Sequence, residues 1–267
     1  MTSKITRGLE ILRQQGLRDF IQEFRRYISN VSVIEELWIR IKRNQTFLIR
    51  STSAKFKMKN SKMKELNEWR YESEYEVLDD FLNEVQDQDV IFDVGANTGL
   101  YTCFAAVKNQ SVNVVAFEPY QPNVEVLKKN IKLNSVENVR IIDTALSNTN
   151  GTAKFEVPGY DMPGYGTGSI SDNIEDTKTV NIQTSTGDDL IEEGLQQPNV
   201  LKIDVEGAEE RVLEGLLNTM AEESCRLVYC EVHDDSGESV DTFLTDCGFK
   251  TKKLSKRGNQ HFIKAFK

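Results

Sequence analysis

Two acidic segments concentrate the residue types best able to do chemistry. Asp204-Val205-Glu206-Gly207-Ala208-Glu209 places three carboxylates within six residues. Glu231-Val232-His233-Asp234 follows about 25 residues later. In a strand, alternate side chains share a face, so Glu231 and His233 point the same way. Histidine titrates near neutrality, which makes His233 the candidate general base. Asp204, Glu206 and Glu231 join it as candidate catalytic residues. Glu206 and Glu209 could position a hydroxyl or bind a cation. Their other reading is helix capping, where an acid at a helix N-terminus gains ~0.3–1 kcal/mol. Asp204, Glu206, Glu231 and His233 together form a set of hard ligands suited to Mg²⁺.

A third segment, Asp93-Val94-Gly95-Ala96-Asn97-Thr98-Gly99, follows an apolar run and precedes a helical pattern. Gly95 permits a tight turn and Gly99 a close helix approach, with N–H groups at the helix start facing a ligand. The next strand ends at Glu118-Pro119, where a carboxylate can accept both hydroxyls of a ribose. Two cofactor classes fit this pattern. A dinucleotide site reads G-x-G-x-x-G, whereas here the glycines are spaced G-x-x-x-G, with Ala96-Asn97 replacing the middle glycine. Asp93 would repel a pyrophosphate but suits a ligand carrying an ammonium and a sulfonium, which is S-adenosylmethionine. Asp204 could then face the sulfonium or the ammonium.

These segments need strands to end where they begin. Val90–Val94, Val112–Phe117, Val139–Asp143, Val200–Val205 and Leu227–Val232 read as short apolar strands. Helices are predicted to about Lys108, over Asn123–Leu133, Ala208–Leu217 and Glu238–Cys247. Phe249–Leu254 and His261–Phe266 read as a closing antiparallel pair. Apolar strands alternating with helices indicate a doubly wound, mostly parallel α/β sheet with ligands at the carboxyl ends of its strands. Ala153–Val157 and Val180–Thr184 read as short strands around a glycine-rich loop over 158–169, which reads as either a disordered connector or a binding loop, with two tyrosines and a methionine favouring binding. Residues 4–29 and 31–43 have helical spacing, and 51–64 reads as a polar linker. The organisation is thus a basic helical extension and linker over 1–64 and a cofactor-binding domain over 65–267.

Composition narrows the partners. At 39% hydrophobic and 28% charged residues, the 267-residue chain is of ordinary globular type. Its longest apolar runs are far short of a membrane span, and no secretory signal is visible. Cys103, Cys225, Cys230 and Cys247 lack C-x-x-C spacing and read as reduced thiols of a cytoplasmic protein. Residues 1–70 carry 16 Lys and Arg against 7 Asp and Glu, while the rest carries 17 against 35. So acidic a body argues against nucleic-acid binding. The basic residues 1–50 could touch an inner membrane surface, a second copy of the chain, or simply solvent.

The segments D-V-G-A-N-T-G-L-Y-T, F-E-P, D-T-A-L-S and L-K-I-D-V-E-G-A-E, in this order, resemble the FkbM-type S-adenosylmethionine-dependent methyltransferases. Tyr71-Glu72 resembles a short element upstream of the glycine turn in that family. The resemblance spans about residues 70–265 and implies a seven-stranded, Rossmann-like class I methyltransferase fold with an antiparallel last strand. It implies O-methylation of a sugar, glycan, glycolipid or natural-product hydroxyl by in-line displacement. Asp93, Gly95, Ala96, Asn97, Gly99 and Glu72 would hold the methionine end, with Glu118-Pro119 at the ribose and Asp143 and Ala145 beside the adenine. Asp143 has a second reading as a strand-end turn former. Thr186-Gly187-Asp188-Asp189-Leu190 departs from the family, which more often has a bulky apolar residue at the glycine. The competing readings are a non-sugar acceptor, a nicotinamide-dependent oxidoreductase, a nucleic-acid N-methyltransferase and a non-catalytic scaffold. An N/D-P-P-Y/F segment would favour the nucleic-acid reading, but that position reads Asp-Val-Glu-Gly.

Overall fold

The computed structural model describes residues 39, 41–157, 179–233, 237–257 and 260–267. The expected helix 4–29, nearly all of the expected helix 31–43, the loop 158–169 and Asp234 lie outside them. In chain order the elements are β1 (Asn44–Ile49), β2 (Thr52–Lys57), α1 (Ser61–Glu84), β3 (Val90–Val94), α2 (Leu100–Lys108), β4 (Asn113–Phe117), α3 (Gln121–Asn134), β5 (Val139–Ile142), β6 (Ala145–Leu146), β7 (Gly151–Glu156), β8 (Thr179–Ser185), α4 (Gly187–Glu192), β9 (Val200–Ile203), α5 (Glu209–Glu214), α6 (Leu217–Ala221), β10 (Leu227–Val232), α7 (Gly237–Asp246), β11 (Lys250–Arg257) and β12 (Gln260–Phe266).

Seven strands form one sheet in the order β11-β12-β10-β9-β3-β4-β5. From β10 to β5 every neighbour is parallel, and β12 runs antiparallel to both β10 and β11. Strands β3, β9 and β10 are buried at every position. Alternate residues of each strand therefore feed two cores. Phe92, Ile203 and Cys230 pack with Leu213, Leu216 and Leu244 on one face. Ile91, Val114 and Tyr229 pack with Phe81 and Phe104 on the other. The chain runs outward from β3 through β4 to β5, then returns to add β9 on the opposite side of β3. That reversal is the switch point at which α/β sheets open a crevice. A second sheet, β6-β8-β7, stands beside it.

One expectation fails locally. Much of the segment read as a linker is instead β2 and the start of α1. Strands β1 and β2 form an antiparallel hairpin. Ile49, Ala54 and Phe56 bury into the core formed with α1 and α2. Asn134 accepts the Lys55 N–H at 2.7 Å and donates to the Lys55 carbonyl at 2.8 Å. Asn130 accepts the Lys57 N–H at 2.8 Å and donates to the Thr98 carbonyl at 2.8 Å. Two asparagines of α3 thus dock β2, and one of them also grips the glycine turn. The helix expected over Ala208–Leu217 is likewise broken into α5 and α6. Gly215 lies at the break, and a Cβ there would stand 2.0 Å from the Ser147 carbonyl oxygen.

Candidate active site

At the carboxyl ends of β3, β4 and β9 lies a cleft of about 720 Å³, counting the part open to solvent. Of the expected residues, Gly95, Asn97, Glu118, Pro119, Ala145, Asp204 and Glu206 line it. Arg70, Tyr120, Asn123, Leu146 and Phe155 line it too and carry no sequence expectation. Gly95 brings the segments together. Its φ is 76°, and a Cβ would fall 1.8 Å from the Asp204 carbonyl oxygen. Only glycine lets the turn after β3 cross so tightly over the end of β9.

Four of the turn's N–H groups bond within the protein. Gly95 and Ala96 both donate to the Phe117 carbonyl at 3.0 Å, and Gly99 donates to Ala96 at 2.8 Å. Asn97 donates to Glu118 Oε2 at 2.8 Å. These four groups are thus engaged within the protein. Asp93 also turns inward. Its Oδ2 accepts from the Thr102 N–H at 3.0 Å and hydroxyl at 2.5 Å, capping α2. Its Oδ1 lies 3.5 Å from Lys202 Nζ.

Glu118 is buried and accepts two more bonds, from the Tyr120 N–H at 2.9 Å and Asn123 Nδ2 at 3.3 Å. Burial nevertheless pushes its carboxyl up to about 7, against the pull of those donors. Tyr120 stacks on Phe155, with centroids 5.8 Å apart, forming an apolar wall with Ala145 and Leu146. Asp143 is exposed, accepts from Gln121 Nε2 at 3.1 Å and is not among the lining residues. Glu72 is exposed on α1, while Arg70 of the same helix lies between Glu74 and Asp204, 3.7 and 4.0 Å away.

The end of β9 is organised around charge. Lys202, 2% exposed, lies 3.3 Å from Asp204 and 4.8 Å from the Tyr101 ring centroid. A lysine in the middle of the apolar run V-L-K-I was a legible signal, because a cation there needs anions on both sides. Burial alone would lower Lys202, but Asp204, Asp93 and Glu74 hold it above its ordinary value. Burial would raise Asp204, and the Lys202 and Arg70 charges outweigh it, leaving its pKa low and the group ionised.

Glu206 has φ 53°, in the left-handed region that non-glycine residues rarely adopt. His233 Nε2 lies 3.2 Å from Glu206, and its Nδ1 lies 2.7 Å from buried Glu209. Glu209 opens α5 and also accepts the Gly207 N–H at 3.0 Å, so it both caps and orients. Burial works against the His233 charge, but the Glu209 hydrogen bond and the Glu206 and Asp204 charges raise it to about 9. Burial, with repulsion from Asp204, raises Glu206 to about 7. Burial, with Asp204 and Glu74, raises Glu231 to about 8. Neither Glu231 nor His233 is among the lining residues.

Asp204, Glu206 and His233 bring ligand atoms within 4.8 Å of one another, the spacing of a cation site. The charge balance does not fit a resident Mg²⁺. Lys202 and Arg70 already stand against Asp204, and His233 stands between Glu206 and Glu209. A dication would meet two fixed cations.

A Rossmann-like sheet with a switch-point cleft between strand-end acids is the fold on which class I methyltransferases are built. The model for the "Methyltransferase FkbM domain" matches residues 93–251, and the chain belongs to the FkbM methyltransferase family. It is 34% identical over 192 residues to the hexuronic acid methyltransferase AglP of Haloferax volcanii, covering 71% of this chain and 75% of that one. It is 29% identical over 183 residues to the 31-O-demethyl-FK506 methyltransferase FkbM of Streptomyces tacrolimicus, covering 58% and 69%. Among solved structures, the methyltransferase FkbM of Methylobacillus flagellatus aligns with a TM-score of 0.46 at 14% identity, covering 69% of this chain and 45% of that one.

Proposed function

We propose that this methyltransferase moves a methyl group from S-adenosylmethionine to a hydroxyl of a sugar, glycan or glycolipid. The observation that carries the reading is one cleft shared by Glu118 at the end of β4 and by Asp204 and Glu206 beyond β9. The residues suit that cofactor. Asn97 Oδ1 is buried at the wall with no hydrogen-bond partner among the described residues, an acceptor kept for a ligand. Glu118 would take the ribose hydroxyls, and Tyr120, Phe155 and Leu146 would flank the adenine. The glycine spacing G-x-x-x-G, with Ala96-Asn97 in place of a middle glycine, speaks against the oxidoreductase reading.

The cofactor supplies a methyl carbon already activated by a cationic sulfur. The protein's work is alignment and proton removal. Glu206 lines the cleft, and at about 7 its carboxylate is matched to accept a proton near neutrality. His233, expected as the base, is protonated at that pH and off the cleft wall. It serves better as a positioning residue, holding Glu206 while Glu209 fixes its ring. The sugar acceptor rests on the name of the Haloferax relative. A non-sugar hydroxyl is the second reading, favoured by the name of the Streptomyces relative.

The test is label transfer from methyl-labelled S-adenosylmethionine to uronic acid glycosides, neutral glycosides and hydroxylated non-sugars. Transfer to a glycoside is the expected result. Transfer confined to non-sugars would overturn the sugar assignment.

A further inference from the structure

Arg70 stands in the cleft without an assigned task. Its side chain is 11% exposed, and it lines the space together with Gly95, Asn97 and Asp204. Among the described residues it is the only Lys or Arg that lines the cleft. Its ion pairs are long, with Nε 3.7 Å from Glu74 and Nη2 4.0 Å from Asp204. Nη1 is buried and has no hydrogen-bond partner among the described residues. A buried guanidinium donor left unpaired costs free energy, so its persistence in a cleft wall marks a place for an acceptor.

The pairing with Asp204 identifies that acceptor. An α-amino acid carries its ammonium and its carboxylate on a single carbon. A cation and an anion set side by side match both groups at once. Arg70 and Asp204, 4.0 Å apart in the cleft that Gly95 also lines, have that arrangement. We infer that Arg70 binds the carboxylate of the cofactor's methionine end, with Asp204 facing its ammonium. A uronic acid carboxylate, which has no adjacent ammonium, would use only half of the pair. The inference rests on the cofactor reading above.

Its test is calorimetric binding rather than turnover. The probes are S-adenosylhomocysteine, its decarboxylated analogue that keeps the amine, and 5′-methylthioadenosine, which lacks both groups. Arg70→Gln and Arg70→Lys are compared with the parent chain, with circular dichroism to establish folding. The expected result is a parent preference for S-adenosylhomocysteine over the decarboxylated analogue of about 10- to 100-fold. Arg70→Gln should erase that preference by weakening S-adenosylhomocysteine alone, and Arg70→Lys should restore part of it. Equal weakening of both ligands, or none, would overturn the inference while 5′-methylthioadenosine binding left the cofactor reading standing. Unchanged S-adenosylhomocysteine affinity with a raised KM for a uronate acceptor would also overturn it, moving Arg70 to the acceptor. Failure of all three probes to bind the parent chain would overturn both.

Discussion

Glu206 sits in a left-handed conformation that costs of order 1–3 kcal/mol, and its neighbour Gly207 is left-handed as well. The strain turns the carboxylate into the cleft and against His233. Glu206→Gln should therefore lower kcat by about 10²–10⁴ with little change in S-adenosylhomocysteine affinity. Because burial raises this acid to about 7 in the ligand-free protein, kcat/KM in the parent chain should climb with pH through that value. Below it the rate should fall about tenfold per unit, since only the ionised form accepts the proton. A flat profile between pH 6 and 8 would remove Glu206 as the base. Lys202 is the residue on which the buried charge depends. Lys202→Met leaves Asp93 and Asp204 buried without their shared cation. The expected loss is about 3–5 kcal/mol by urea unfolding. Part of this was legible in the sequence. Glu118, Asp204 and Glu206 fall in the cleft because each closes or follows an apolar strand, and strand ends are readable. Asp93 was misread because a carboxylate before a turn can face a ligand or cap the helix beyond it. Nothing in the spacing shows that Thr102 takes it. Arg70 escaped because it is one basic residue in a polar helix, and only the docking of α1 distinguishes it from its neighbours.

At the scale of elements, the hairpin and α3 brace the glycine turn. Asn130 satisfies both the Lys57 N–H and the Thr98 carbonyl. Asn130→Ala strips a partner from each, and the expected cost is about 1–3 kcal/mol by denaturant unfolding. A variant within about 0.5 kcal/mol of the parent would show that β2 does not depend on this bond. The hairpin was invisible in the sequence because its apolar residues are sparse and interrupted by Lys55 and Lys57. Its backbone is satisfied by α3 side chains as well as by strand partners. By contrast, β3, β4, β9 and β10 were placed within a residue or two, because strands buried on both faces read as continuous apolar runs. Gly187, where the family more often carries a bulky apolar residue, has a local reason. A Cβ there would lie 2.1 Å from Leu216 Cδ2, so Leu216 fills the space such a residue would take.

For the whole molecule, the sheet order explains why the acids meet. β3 and β9 are far apart in sequence and adjacent in space. The cysteines are all free thiols, as their spacing suggested. Among the described residues no helix is long and apolar enough to cross a membrane. The cations facing Asp204 and Glu206 belong to the protein, so methyl transfer should persist after exhaustive EDTA treatment. Loss of activity restored by Mg²⁺ would show that the charge balance has been misjudged.

The central claim is that the cleft accepts an adenosyl amino acid rather than a dinucleotide, with Glu118 at the ribose. The most direct measurement is a calorimetric titration with S-adenosylhomocysteine and, in parallel, NAD⁺, repeated on Glu118→Ala. Micromolar binding of S-adenosylhomocysteine that Glu118→Ala abolishes, with no heat from NAD⁺, is the predicted result. Binding of NAD⁺, or S-adenosylhomocysteine binding indifferent to Glu118, would contradict it.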